Sequence, residues 1–86
     1  MELEGLRIFL AAAETGGFSQ ASRRLYISHS TVSRAVASLE RELGTPLFVR
    51  SNRIQCLTPA GELLAEEAAR LLAQADAIPE KLAALK

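Results

Sequence analysis

The sequence predicts a mainly α fold: a three-helix core, a two-stranded β-hairpin, and a long C-terminal helix. Three observations predict it. Apolar residues recur at helical spacing in the first half and end at residues that cap or turn the chain. A run of β-branched and aromatic residues doubles back across a Ser-Asn pair. Toward the C-terminus, Leu, Ala and Ile recur every three or four residues.

Leu3, Leu6, Phe9, Leu10 and Ala13 form one helical stripe, and Thr15-Gly16-Gly17 can take positive φ behind it. A first helix is therefore expected over about 2–14. Ser19 is expected to cap a short second helix ending near Leu25, with Phe18 packing ahead of it. Tyr26-Ile27-Ser28 makes a tight break, after which Ser28 caps a third helix. Its apolar residues Val32, Val36, Leu39 and Leu43 share one face, and Gly44 stops it. Thr45-Pro46 ends the helical pattern. Leu47-Phe48-Val49-Arg50 reads as a strand, Ser51-Asn52 as a turn, and Arg53 to Leu57 as the returning strand.

Thr58-Pro59 supplies an N-cap and a first-turn proline for a fourth helix, and the acids from Glu62 to Glu67 suit its early turns. Leu64, Ala68, Leu71, Ala75, Ile78, Leu82 and Leu85 are spaced alternately four and three apart, a heptad seam that predicts a dimerising helix pair. Pro79 lacks a donor and disfavours helical geometry at Ile78, so a kink or restart is expected there. The whole reads as a winged helix-turn-helix over residues 1–58 and a linker helix over residues 59–86.

Composition narrows the function. The 86 residues suffice for one small domain, and 49% hydrophobic with 23% charged residues describes an ordinary globular chain. Cys56 is the single cysteine, which excludes an intramolecular disulfide and suits a reducing cytoplasm. A metal site would need His29 and scattered carboxylates; no metal and no cofactor is expected. The apolar run from Ile8 to Ala13 is too short for a signal peptide or a membrane span, so no membrane partner is expected. One His, one Cys and one Asp, without a phosphate-cradling glycine loop or an evident nucleophile and base, argue against an enzyme.

Formal net charge is zero, but the average conceals segregation. From Ser19 to Arg53 six arginines face two glutamates, a net +4, while each flank carries −2. One face should be electropositive, as a duplex partner requires.

The third helix has the character that the major groove admits, because His29, Ser30, Ser33, Arg34, Ala37, Ser38 and Arg41 lie on its other faces and that surface carries no bulky apolar residue. Arg34 can donate two hydrogen bonds to guanine O6 and N7, and is the first candidate for base readout. Ser30, Thr31 and Ser33 are short enough for close approach, with hydroxyls that serve a phosphate or a base edge. Arg53 near the hairpin tip suits the negative potential of the minor groove, and Arg50 suits phosphate. Arg23, Arg24 and Arg41 read as solvated charges or ion pairs with Glu40 and Glu42. Cys56 reads as a small apolar residue of the second strand.

The chain resembles the N-terminal domain of the LysR-type transcriptional regulators. The resemblance runs through Phe18-Ser19-Gln20-Ala21-Ser22, Leu25, Ser28, Thr31-Val32-Ser33-Arg34, Leu39 to Phe48, Arg50, Arg53 and Leu57-Thr58-Pro59-Ala60-Gly61. It implies a bacterial transcription factor in the cytoplasm at the nucleoid, binding double-stranded DNA at an imperfect palindrome as a homodimer paired through the linker helix. Helix 29–43 would enter the major groove and wing 47–57 would lie at the minor groove or backbone. It also implies an effector-sensing C-terminal domain, absent from this sequence, as the route for a small-molecule effector. The family usually has Gln where this chain has His29, a position that in the family reads bases. Imidazole cannot bond adenine as an amide does, so His29 should favour guanine or phosphate. Two rival readings remain open at the level of sequence: a winged helix that binds protein, and a module serving chiefly for dimerisation.

Overall fold

The computed structural model describes residues 1–50 and 55–85, in the order α1 Leu3–Thr15, α2 Phe18–Leu25, α3 His29–Leu43, β1 Phe48–Arg50, β2 Gln55–Leu57 and α4 Pro59–Ala83. The proposed turn Ser51-Asn52, together with Arg53 and Ile54, lies outside the described residues. The strands pair antiparallel, with Phe48 opposite Leu57, Val49 opposite Cys56 and Arg50 opposite Gln55.

Local chemistry sets most boundaries. Ser28 and Thr58 cap α3 and α4 as expected: Ser28 Oγ accepts from the Thr31 amide at 3.1 Å, and Thr58 Oγ1 accepts from the Gly61 amide at 3.0 Å. Gly44 ends α3 at φ 70°, where a side chain would be strained. The expected cap at Ser19 is not formed. α2 begins two residues earlier than that cap implies, at Phe18, with Gly17 as an N-cap that makes no side-chain cap bond. Burial of Phe18 in the core draws it into the first turn, and Ser19 lies inside the helix with its carbonyl accepting from Ser22 Oγ at 2.7 Å.

The core collects Leu6 and Phe9 of α1, Val32 and Val36 of α3, and Leu47 and Phe48 at the root of the hairpin. Leu43, expected on the buried face of α3, is 41% exposed at the last residue of that helix, just before the C-cap Gly44. Glu40 fastens the hairpin root: its carboxylate accepts from the Leu47 amide at 2.8 Å and from the Phe48 amide at 3.5 Å.

The long helix serves two environments. Ala68 is buried and Leu64 packs against the core, joined by Leu72, which lies off the heptad seam. Arg7 clasps Asp76 with two hydrogen bonds, at 2.6 and 3.2 Å, tying α1 to α4. Beyond this point every residue from Ile78 to Leu85 is exposed. Of the kink or restart expected at Pro79, the restart does not occur, since α4 runs on through it; on this solvated stretch water can meet the carbonyl that proline leaves without a donor. Leu85, placed on the seam by spacing, follows the last helical residue Ala83.

Candidate nucleic-acid interface

The start of α3 is built around one hydroxyl. Besides holding the Thr31 amide, Ser28 Oγ lies 2.8 Å from Thr31 Oγ1 and 3.2 Å from Ser30 Oγ. Arg34, one turn on, donates from Nη2 to Thr31 Oγ1 at 3.5 Å, a long bond that folds the guanidinium back over the first turn. His29, Ser30, Arg34 and Ser38 are exposed, whereas Thr31 and Ser33 are half-buried. The structure therefore brings His29, Ser30, Thr31, Ser33 and Arg34 together on two turns of one helix, with Ser38 further along it. Arg50 ends β1, and Arg53 lies outside the described residues.

The opposite side of α3 fixes its attitude. Val32 and Val36 are fully buried and Leu39 nearly so, which holds the helix by its apolar face and leaves the small polar groups and the Arg34 guanidinium of its first two turns outward. A surface of short hydroxyl-bearing side chains permits close approach of a groove wall, and Arg34 supplies forked donors.

Other charges settle differently from the sequence reading. Arg24 pairs with Glu14 of α1 at 2.8 Å, not with Glu40 or Glu42. Glu40 is engaged by the hairpin amides, and Glu42 meets the N-terminal ammonium at 2.5 Å, which raises the pKa of that amine chiefly through the hydrogen bond. Arg70 pairs with Glu67 along α4. Cys56 is exposed opposite Val49, itself 51% exposed, on the outer face of the hairpin. Among the described residues, no group of three or more His, Cys, Asp and Glu side chains is gathered where it could hold a metal ion, and no helix is long and apolar enough to cross a membrane.

Sequence reasoning missed one member of this region. Phe18 lies against the first residue of α3, its ring centroid 6.0 Å from that of His29 and the planes at 53°. The spacing of two aromatic rings eleven positions apart gave no signal of this contact, which depends on the angle between α2 and α3.

Three helices, the third presenting a polar face, and a following antiparallel hairpin define a winged helix-turn-helix domain. The description "bacterial regulatory helix-turn-helix protein, lysR family" matches residues 3–62, and the chain belongs to that family. It is 50% identical over 72 residues to the HTH-type transcriptional regulator TfdS of Cupriavidus pinatubonensis, covering 84% of this chain and 24% of that protein. The chain thus spans about a quarter of the length of the curated relatives it matches. Among solved structures, the BenM_DBD/catB site 1 DNA complex superposes with a TM-score of 0.94 at 34% identity, over 99% of this chain and 94% of that one. The CbnR_DBD-DNA complex superposes with a TM-score of 0.93 at 36% identity, over 99% and 98% of the two chains.

Proposed function

We propose that this chain is the sequence-specific, double-stranded DNA-binding part of a bacterial transcriptional regulator, acting in the cytoplasm at the nucleoid as a binding module and not as an enzyme. The observation that carries this reading is the first two turns of α3: an exposed, small, polar surface with Arg34 at its centre, held rigidly by Val32, Val36 and Leu39, in a fold that superposes on domains solved with DNA. In this reading His29, Ser30, Thr31, Ser33, Arg34 and Ser38 face the major groove. Thr31 and Ser33 act close to the backbone, since they are half-buried. Arg50 and Arg53 of the wing meet phosphate and the minor groove and supply affinity more than sequence.

Pairing of two copies through α4 completes the proposal. The residues that suit it are Leu71, Ile78 and Leu82, which expose 41%, 53% and 60% of their surface, with Leu85 beyond the helix end and Ala75 half-buried between them. Leu64 and Ala68 are already engaged by the domain's own core and contribute at most an edge. Two such helices side by side would set two recognition helices on one face of a duplex, matching a palindromic site. Response to a small-molecule effector belongs, in this proposal, to the further domain characteristic of the family.

The test is binding to DNA selected from a random pool, measured at two salt concentrations. Affinity should fall steeply as salt rises, because each neutralised phosphate releases counterions. Arg34→Ala should lose about 1–3 kcal/mol of discrimination, roughly 5- to 150-fold. Salt-insensitive binding, or an Arg34→Ala protein with wild-type preference, would overturn the reading.

A further inference from the structure

The geometry points to Phe18 as a positioning residue for His29, and through it as a determinant of sequence preference at the first turn of α3; the inference rests on the DNA-reading function proposed above. His29 is the first residue of α3 and is exposed, so its backbone alone leaves the imidazole free to sample its rotamers. The Phe18 ring restricts it. Their separation of 6.0 Å and tilt of 53° lie in the range where aromatic pairs attract.

Phe18 can serve as a stop because its ring is itself packed into the core. It is 3% exposed and meets Phe48 edge-on at 5.3 Å, and Phe48 in turn rests on Phe9 at 5.6 Å. Three core rings, from α1, the hairpin root and α2, thus hand a defined orientation to the one imidazole of the recognition helix. Direction matters for this side chain more than for a hydroxyl, because a base edge is read by donors and acceptors at fixed angles and a serine hydroxyl rotates to suit. Loosening the ring should lower discrimination between sites while leaving phosphate-driven affinity in place. Since Phe48 opens β1, the same array joins the root of the wing to the reading head.

The experiment is a double-mutant cycle of wild type, Phe18→Leu, His29→Ala and the double variant. Its readout is the ratio of affinities for the selected site and a scrambled duplex. Phe18→Leu should reduce the ratio about 2- to 12-fold, the span of an aromatic-pair energy, with affinity for the scrambled duplex unchanged. In the His29→Ala background the same change should leave the ratio unaltered. An equal effect with and without His29 would overturn the inference. A second measurement needs no variant: wild-type NMR spectra should show cross-relaxation between Phe18 and His29 ring protons, and its absence would overturn the positioning even where Phe18→Leu does not fold. If wild type selects no site while those cross-peaks are present, the DNA-reading proposal fails and the ring contact stands.

Discussion

Gly61→Ala and Gly5→Ala are the same substitution in two helices, and the structure assigns them opposite signs. Gly61, in the first turn of α4, is buried beneath the hairpin root. A Cβ there would collide with the Leu47 carbonyl oxygen and stand 3.0 Å from both the Leu47 carbonyl carbon and Leu57 Cδ2. The carbonyl cannot yield cheaply, because it accepts from the Thr58 amide at 3.0 Å, while the Leu47 amide is held by Glu40 at 2.8 Å. Overpacking against such a wall costs about 3 kcal/mol, the upper end for inserted methyl groups, and helix propensity returns at most about 1 kcal/mol. The net loss of about 2 kcal/mol corresponds to a fall in Tm of roughly 8–16 °C for a domain of this size. At Gly5 of α1 the added Cβ would meet only Leu39 Cγ at 4.0 Å, an ordinary contact, so the propensity gain of up to about 1 kcal/mol survives as a rise in Tm. Thermal unfolding followed by circular dichroism measures both, at one protein concentration because the pairing proposed above would make Tm concentration-dependent. A Gly61→Ala protein that melts at or above wild type would refute the close-approach reasoning.

Tyr26 holds a left-handed backbone at φ 58° with its side chain 94% exposed, so Tyr26→Gly should stabilise by about 1 kcal/mol with no packing lost; a lowered melting temperature would contradict this. Glu40→Ala removes the charged acceptor of the Leu47 and Phe48 amides and should cost about 1–3 kcal/mol in urea unfolding, with Glu40→Gln intermediate; an unchanged midpoint would count against the clasp. The hydrogen bond from Arg7 lowers the Asp76 pKa below its ordinary 3.8, with the guanidinium charge adding to it. A lowered carboxylate pKa stabilises the fold above the unfolded value and loses that contribution as pH falls through the folded one. Asp76→Asn should therefore separate from wild type at neutral pH and converge with it in acid, and a pH-independent difference in stability would exclude the mechanism.

Legibility in the sequence followed the range of the interaction. The caps at Ser28 and Thr58 were readable because the hydroxyl, the free amide and the proline or apolar stripe that follow lie within one turn. Ser19 carried the same signal and failed, because the burial of Phe18 favoured a start two residues earlier. The seam on α4 was visible as a period, but a period does not say which partner covers it. Leu64 and Ala68 face the chain's own core, Leu72 joins them from off the seam, and Ile78 and Leu82 face outward.

By itself, then, the sequence determined the order of elements, the polar face of α3 with Arg34 upon it, and the N-cap and first-turn proline at Thr58-Pro59. The tertiary structure alone decided that Glu40 accepts from the hairpin amides, that Gly61 must lack a side chain, and that His29 meets Phe18. The physical reason is that capping and periodicity are satisfied within neighbouring turns. The partners of Glu40, Gly61 and His29 are set by the angles at which separate elements pack.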